Sequence, residues 1–314
     1  MIAGPLKIFS GTTNRPLAEG IAKYLGTELG SLRIERFSDG ELYVKFEESV
    51  RGADVFIIQP TSPPVDPNLV ELFVLLDALR RASAERITAI IPYYGYARQE
   101  KKERPREPIT AKLIADLLRT AGADRVITMD LHADAIQGFF DVPVDHLTAL
   151  PLLSKHIKDK NLEKMVVVSP DEGRVKKARQ LTNRLNAPLA VGYKYHPAPN
   201  VAEVTHIAGD VKGKTPVIIE DMIATGSSIT ECVNILLQHG ANPEIYVACT
   251  HGLFTGKAKE HLERPEIKEI LVTNTVPPAG PSKLKNVTYC DVAPTFGEAI
   301  RRLRENLSIS SLFD

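Results

Sequence analysis

Short apolar runs alternate with amphipathic helical patterns along the whole chain. In the first half, runs rich in β-branched residues predict four strands, and apolar residues at helical spacing predict three helices between them. The predicted strands are Leu6–Phe9, Val55–Ile58, Ile87–Ile91 and Val126–Met129, and the predicted helices are Pro16–Leu25, Asn68–Arg81 and Thr110–Thr120. The second half repeats this rhythm, with strands predicted at Val166–Val168, Leu189–Val191, Val217–Ile219, Ile245–Cys249 and Ile270–Thr273, and helices at Val175–Leu185, Ile229–His239 and Pro294–Asn306.

Strands that are apolar throughout and alternate with helices are typical of parallel sheets covered on both faces. The pattern therefore predicts an α/β protein with two domains, since each half has its own set of strands. We place the boundary near Leu147–Pro151, which gives a first domain of residues 1–148 and a second of residues 149–304. In such sheets, ligands bind beyond the C-terminal ends of the strands.

Composition narrows the class of protein. The 314 residues contain 39 Lys and Arg against 39 Asp and Glu, so bulk charge gives no reason to expect a nucleic acid or a membrane surface as partner. No apolar run is long enough to span a bilayer, and the N-terminus lacks the layout of a signal peptide. The three cysteines are isolated, which argues against disulfides and thiolate metal sites. These features predict a soluble, cytosolic protein.

The segment from Val217 to Ser228 is the most informative part of the chain. An apolar strand is predicted to end in two carboxylates, Glu220 and Asp221, before a Gly/Ser/Thr loop and a helix that starts near Ile229. Free N–H groups and hydroxyls at a helix N-terminus favour a bound phosphate, and the carboxylates can accept hydrogen bonds from sugar hydroxyls or bind a cation. The segment therefore predicts a sugar-phosphate site. The alternative is a simple helix cap that follows an acidic turn.

Several other motifs occur in a characteristic order along the chain. They are Phe37–Glu41, Pro92–Gln99, Arg106–Lys112, Asp130–Phe140, Ser169–Asp171 and Pro199–Glu203, followed by the phosphate loop. Taken together, they closely resemble the ribose-phosphate pyrophosphokinases, over essentially the whole chain. The resemblance implies two phosphoribosyltransferase-like (type I) α/β domains and a homo-oligomer, a hexamer built from dimers. It also implies transfer of the β,γ-pyrophosphoryl group of ATP to the 1-hydroxyl of ribose 5-phosphate, with Mg²⁺ as cofactor.

The resemblance also implies roles for the residues of the phosphate loop. The 5-phosphate would be held by Ala224, Thr225, Gly226, Ser227 and Ser228, and the ribose hydroxyls would be bound by Glu220 and Asp221. The family usually has Asp at both positions 220 and 224. The Glu and Ala found here look more like the related nucleobase phosphoribosyltransferases.

On the ATP side, the resemblance implies six residues and a shared site. ATP would be bound by Arg98 and Gln99 together with Phe37, Asp39, Gly40 and Glu41, the last four reaching the ATP of a neighbouring subunit. His132 and Asp171 are the metal candidates, each just past a predicted strand, with Asp130 and Asp134 as acidic alternatives.

Two further regions have implied roles. On a mobile loop that closes over the transferring group, Lys194 is present, but His196 stands where the family has arginine. Arg174 stands where the family has glycine, and it either returns positive charge to the site or is a surface residue at a helix start. Near the C-terminus, Ser308, Ser310 and Phe313 match an inter-subunit site where phosphate activates and ADP inhibits. This role needs an ordered tail, so residues 305–314 are expected to pack back on the first domain.

Three hypotheses for the function follow from these motifs. The favoured one is an active pyrophosphokinase, because both the ATP motifs and the ribose-phosphate motif are present. A nucleobase phosphoribosyltransferase would explain Glu220 and Ala224 but would leave Arg98, Gln99 and the Phe37–Glu41 segment without a role. A non-catalytic regulatory subunit of a pyrophosphokinase complex would explain His196.

Overall fold

The computed structural model describes residues 4–198, 201–278 and 284–313, with side chains described except at 194–198 and 201–205. The chain forms two compact units. The first contains residues 1–148, 275–277 and 292–314, and the second contains residues 149–274 and 278–291. Within the described residues, no helix combines the length and hydropathy that a membrane span requires.

The first unit is built on a five-stranded parallel sheet with strand order β1-β4-β5-β6-β7. A separate antiparallel hairpin is formed by β2 and β3. The strands are β1 Leu6–Ser10, β2 Leu32–Arg36, β3 Leu42–Phe46, β4 Asp54–Ile58, β5 Arg86–Ile91, β6 Arg125–Met129 and β7 Val144–Leu147, and the helices are α1 Arg15–Tyr24, α2 Val65–Arg81 and α3 Thr110–Ala121.

The second unit has a seven-stranded sheet with strand order β10-β9-β8-β11-β12-β13-β14, in which only the β9–β10 pair is antiparallel among the strands described. Its strands are β8 Met165–Ser169, β9 Leu189–Ala198, β10 Val201–Ala208, β11 Thr215–Ile223, β12 Ile245–Gly252, β13 Ile267–Thr273 and β14 Val287–Cys290, and its helices are α4 Leu150–Lys158, α5 Val175–Leu185, α6 Ser227–Gln238 and α7 Ala258–Leu262. The predicted α/β class with mostly parallel sheets is confirmed.

Each core follows from the apolar spacing of its helices. In the first unit, Leu72, Leu76 and Leu79 recur along one side of α2 and belong to the same buried cluster as the sheet residues Ile57 and Ile91. In the second, α6 contributes Ile229, Val233 and Leu236 to a cluster with the sheet residues Ile218, Val247 and Ile270. Both sheets are therefore covered by helices, and the C-terminal ends of their strands are left to carry polar side chains.

The last helix, α8 Ala293–Arg304, corrects the predicted domain division. The sequence pattern placed it in the second domain, but it belongs to the first unit, where it packs against α1. Glycines permit this approach, because a methyl group on Gly20 would lie 2.8 Å from the Cβ of Ala293, and one on Gly297 would overlap the Tyr24 ring. The Tyr24 hydroxyl also donates a hydrogen bond to Glu298, at 3.0 Å.

Several elements were not predicted from the sequence. These are the β2–β3 hairpin, β7, α4, β10, β14 and the short α7. The strands of the hairpin are only partly buried, so they lack the continuous apolar run that identified the central strands. Helix α4 begins at Leu150, inside the segment chosen as the domain boundary.

Candidate active site

The turn from β11 into α6 is the centre of the candidate site. Gly226 immediately precedes α6 and has φ +77°. This left-handed conformation is energetically unfavourable for any residue that has a side chain. A methyl group on Gly226 would also lie 2.8 Å from two side-chain carbons of Leu262 in α7. Only glycine fits here without strain, and it lets the chain reverse tightly into the helix. The helix begins at Ser227, two residues earlier than predicted.

The exposed side of this turn presents hydrogen-bond donors. Among the described residues, no side chain caps the N-terminus of α6, so the amides of its first turn point outward without a capping group. The hydroxyls of Thr225 and Ser227 lie 3.2 Å apart, close enough to reach one anion together. A helix N-terminus with adjacent hydroxyls is suited to bind a phosphate group.

The inner side of the turn is supported by α7. The Nδ1 of His261 donates a hydrogen bond to the carbonyl of Thr225 at 2.7 Å, because that carbonyl oxygen can only accept. The Thr230 hydroxyl lies 3.2 Å from the Gly226 carbonyl and 3.0 Å from the His261 carbonyl. Sequence reasoning missed His261, since nothing in its local pattern indicated contact with a loop 36 residues away.

Glu220 and Asp221 form a buried acidic pair inside β11, at the point where the sequence pattern predicted the strand to end. Strand β11 continues to Ile223, and the two residues are only 7% and 2% exposed. One oxygen of Asp221 accepts a hydrogen bond from the backbone N–H of Met222 at 2.8 Å. Two adjacent carboxylates with this little solvent require positive charge or hydrogen bonds from the protein.

Arg174 supplies such a charge. It ends a 3₁₀ turn, Glu172–Arg174, that connects β8 to α5. Its Nη2 lies 2.9 Å from an oxygen of Asp221, and its Nε lies 3.6 Å from an oxygen of Glu220. The sequence left open whether Arg174 returns positive charge to the site or lies on the surface. Its side chain is only 17% exposed, which agrees with the first interpretation. The parallel pairing of β8 with β11 brings the two segments together.

The acidic pair also affects the pKa of a cysteine on the adjacent strand. Cys249 on β12 pairs in register with Glu220 and is fully buried. Burial raises the pKa of the Cys249 thiol well above its usual range, and the charges of Glu220 and Asp221 raise it further. The raised pKa favours the neutral form of the Cys249 thiol, which argues against a thiolate nucleophile at this position.

The predicted ATP motif Phe37–Glu41 forms the turn of the β2–β3 hairpin. The turn is closed by backbone hydrogen bonds between Phe37 and Glu41 and between Gly40 and Phe37, both 2.9 Å, and Gly40 has φ +93°. Asp39 accepts a hydrogen bond from the backbone of Glu41 at 3.0 Å. The Phe37 ring is 56% exposed, a large apolar surface for a residue at a turn.

Arg98 and Gln99 lie in the loop that follows β5. Both side chains are exposed. Gln99 is held at the start of α3, because its side-chain oxygen accepts a hydrogen bond from the Thr110 hydroxyl at 2.5 Å. The backbone N–H of Ala111 donates to the Gln99 carbonyl at 3.2 Å. These hydrogen bonds fix the loop at Gln99, and the adjacent Arg98 side chain is exposed to solvent.

The metal candidates His132 and Asp171 belong to different units, following β6 and β8 respectively. The carbonyl of Asp171 accepts a hydrogen bond from the Ser169 hydroxyl at 2.7 Å. The alternative Asp130 is 6% exposed with φ +41°, and it accepts a hydrogen bond from Thr148 at 2.9 Å, which gives it a structural role. Within the described part of the chain, no three His, Cys, Asp or Glu side chains converge as metal ligands.

Lys194 and His196 lie in β9, and their side chains are outside the described residues, as are Pro199 and Asn200 of the same motif. At the C-terminus, the hydroxyls of Ser308 and Ser310 lie 2.9 Å apart, and Arg302 donates to the Ser308 carbonyl at 2.7 Å. Phe313 follows a 3₁₀ turn, Ser310–Leu312, in the first unit.

Comparison with known proteins places these features in one family. Residues 6–122 match the sequence profile of the N-terminal domain of ribose phosphate pyrophosphokinase, and residues 195–314 match that of the phosphoribosyl synthetase-associated domain. The chain is 51% identical to the ribose-phosphate pyrophosphokinase of Bacillus cereus, with 98% of this chain and 97% of the relative aligned. It is 50% identical to the Bacillus subtilis enzyme of the same name, with the same coverage.

A solved structure agrees with the sequence comparison. The phosphoribosylpyrophosphate synthetase of Mycobacterium smegmatis superposes with a TM-score of 0.90 at 43% identity, over 96% of this chain and 99% of that one. The chain therefore belongs to the ribose-phosphate pyrophosphokinase family, as its motifs predicted.

Proposed function

We propose that this protein transfers the β,γ-pyrophosphoryl group of ATP to the 1-hydroxyl of ribose 5-phosphate, which gives 5-phosphoribosyl 1-pyrophosphate and AMP. The observation that carries this proposal is 51% identity to a ribose-phosphate pyrophosphokinase over 98% of the chain. That match covers both units, the one with the ATP-side motifs and the one with the phosphate loop. A nucleobase phosphoribosyltransferase, the main alternative, would leave the first unit without a role.

In this function, the phosphate loop binds the 5-phosphate of ribose 5-phosphate. Residues 224–228 offer backbone amides and hydroxyls at the positive end of the α6 dipole. Glu220 and Asp221 accept hydrogen bonds from the 2- and 3-hydroxyls, since a carboxylate accepts and a hydroxyl donates. Binding at both ends of the sugar fixes the orientation of its 1-hydroxyl, which is the main entropic contribution that a transfer of this kind needs.

The ATP side is assigned to six residues of the first unit. Arg98 and Gln99 would bind ATP phosphates and base from the loop after β5, while Phe37, Asp39, Gly40 and Glu41 would reach the ATP of a neighbouring subunit. The exposed Phe37 ring supports this assignment, because an aromatic face at a hairpin turn is available to stack on a base. A site shared between subunits requires a homo-oligomer, which we propose to be a hexamer built from dimers. Light scattering of the purified protein would measure the number of subunits.

Mg²⁺ is the proposed cofactor. Its chemistry here is neutralisation of charge on the ATP phosphates, and a carboxylate such as Asp171 suits its preference for oxygen ligands better than the imidazole of His132 does. The chain would therefore hold the ion mainly through ATP oxygens and water, with Asp171 as the protein ligand in the second unit, while His132 of the first unit stays a sequence-based candidate.

Transfer itself requires positive charge at the moving group. The 1-hydroxyl releases its proton to solvent and its oxygen forms a bond to Pβ. The bond from Pβ to the oxygen bridging it to Pα breaks, and AMP leaves with that oxygen. Lys194 is the proposed stabiliser of the charge on this group, with His196 as its weaker partner. Lys194→Ala should lower turnover by about a hundred- to a thousand-fold with little change in ATP affinity. His196→Arg should retain or raise turnover.

One assay tests the proposal against its alternatives. Purified protein is incubated with Mg²⁺-ATP and ribose 5-phosphate, and AMP is measured together with 5-phosphoribosyl 1-pyrophosphate. Equal formation of both products is the expected result. Pyrophosphate release that appears only with a nucleobase and 5-phosphoribosyl 1-pyrophosphate would identify a nucleobase phosphoribosyltransferase. Binding of both substrates without turnover would identify a non-catalytic regulatory subunit.

A further inference from the structure

The acidic pair of β11 has a counter-charge that is part of the chain. Glu220 and Asp221 are adjacent, and their side chains are 9% and 4% exposed. Two buried carboxylates that follow each other in the chain are costly without nearby positive charge, and they attract a cation. A divalent ion is one cation that carboxylates can bind. Here, the guanidinium of Arg174 already contacts both residues.

The geometry of Arg174 is that of an ion pair with the two carboxylates. Arg174 is held by the 3₁₀ turn between β8 and α5, and its backbone N–H donates to the Asp171 carbonyl at 3.4 Å. Its Nη2 is 2.9 Å from an oxygen of Asp221, within hydrogen-bond distance, whereas its buried Nε lies 3.6 Å from an oxygen of Glu220, within ion-pair distance but too far for a hydrogen bond. A guanidinium stays charged at all accessible pH values, so this charge is present whether or not a metal ion is bound.

We propose that Arg174 takes the place of a divalent cation at the Glu220–Asp221 pair, so that the pair binds the sugar hydroxyls without a metal ion of its own. Arg174 adds one positive charge beside the two negative charges of the pair, which weakens the attraction of the pair for a free divalent ion. A carboxylate has roughly four lone-pair sites, so the arginine contacts do not exhaust its capacity to accept from hydroxyls. The hydroxyl part of this inference rests on the proposed function, whereas the metal part does not.

The consequence is a specific metal-binding phenotype. Arg174→Gln removes the charge and keeps a side chain of similar polarity, so the acidic pair should gain affinity for a divalent ion. Arg174→Lys keeps the charge and should behave like the parent. Arg179→Gln is the matched control, because Arg179 is an exposed arginine on the adjoining helix α5.

Mn²⁺ is the probe, and electron paramagnetic resonance counts the bound ions per chain in the full-length protein without nucleotide. The expected result is one additional Mn²⁺ per chain for Arg174→Gln, and the parent number for Arg174→Lys and Arg179→Gln. The additional site should be lost in the double variant Arg174→Gln with Glu220→Gln. An unchanged count in Arg174→Gln, or the same gain in Arg174→Lys, would overturn the proposal.

A second measurement keeps the test decisive if Arg174→Gln does not fold. Glu220→Gln in the parent background should leave the Mn²⁺ count unchanged, since Arg174 already occupies the acidic pair. Loss of a bound Mn²⁺ in that variant would show that a metal ion sits at the pair beside the arginine, and would overturn the proposal. Both measurements read metal binding without turnover, so they remain valid whether or not the protein forms 5-phosphoribosyl 1-pyrophosphate.

Discussion

Replacement of Gly226 by alanine should destabilise the phosphate loop for two separable reasons. The first is the backbone, because φ +77° in a residue with a Cβ costs about 1–2 kcal/mol. The second is packing, because the added methyl would lie 2.8 Å from two carbons of Leu262, and overpacking of this kind costs about 1–3 kcal/mol. Together they predict a loss of roughly 2–5 kcal/mol in the free energy of unfolding, from the sum of these ranges.

A double-mutant cycle separates the two contributions. Leu262→Ala removes the atoms that the new methyl would meet, although this deletion of a fully buried leucine costs about 2–5 kcal/mol by itself. In that background, Gly226→Ala should cost only the backbone part, so the coupling energy should be about 1–3 kcal/mol. Gly213→Ala is the matched control, since Gly213 has φ +63° with no atom within 4 Å of an added methyl.

The assays are urea denaturation for stability and calorimetric titration with ribose 5-phosphate for the loop. Gly226→Ala should weaken ribose 5-phosphate binding, because any shift that relieves the overlap moves the amides that hold the phosphate. The reasoning is refuted if Gly226→Ala costs no more than Gly213→Ala, or if its cost is the same with and without the Leu262 side chain. Unchanged ribose 5-phosphate affinity in a folded variant would contradict the assignment of the loop.

Three further predictions concern acid stability, thiol reactivity and regulation. Hydrogen bonds, the strongest of them from Arg301, lower the pKa of Glu298 from 4.5 to about 2. The stability that Glu298 contributes is therefore present above pH 4.5 and is lost as the pH falls towards 2. In urea denaturation, Glu298→Gln should reduce the loss of stability over this pH range by about 1 kcal/mol, a small amount because solvent screens the ion pair. Cys249 should resist iodoacetamide at pH 8 in the native protein and react after unfolding in urea, as peptide mass spectrometry would show; rapid native modification would contradict its burial beneath the acidic pair. The regulatory site predicted at Ser308 and Ser310 implies that the double variant Ser308→Ala, Ser310→Ala responds less to phosphate and to ADP than the parent in steady-state kinetics. Equal responses of the variant and the parent would exclude these hydroxyls from such a site.

Local sequence pattern was sufficient where an element is buried along its own length. Helix α5 runs from Val175 to Leu185, as its apolar spacing predicted, and the central strands agree within a few residues. These segments carry their periodicity in consecutive side chains, so no distant contact is needed to recognise them. The same pattern failed for the β2–β3 hairpin and for α4, where partial exposure or proximity to the expected boundary weakened the signal.

The site residues show the same division. The sequence predicted the phosphate loop, because a glycine between a strand and a helix is a local signature. It predicted a strand that ends in Glu220 and Asp221, whereas both residues lie inside β11. Their burial is explained by Arg174, which lies in the turn that follows the neighbouring strand β8.

The sequence by itself determined the α/β class, the order of the main strands and helices, and the family, since each is written in local periodicity or contiguous motifs. The tertiary structure alone decided that α8 packs on α1, that His261 supports the Thr225 carbonyl, and that Arg174 lies next to both carboxylates of the acidic pair. These are contacts between residues far apart in the chain. Their free energy depends on distance and burial in three dimensions, which no local pattern of hydrophobic and polar residues encodes.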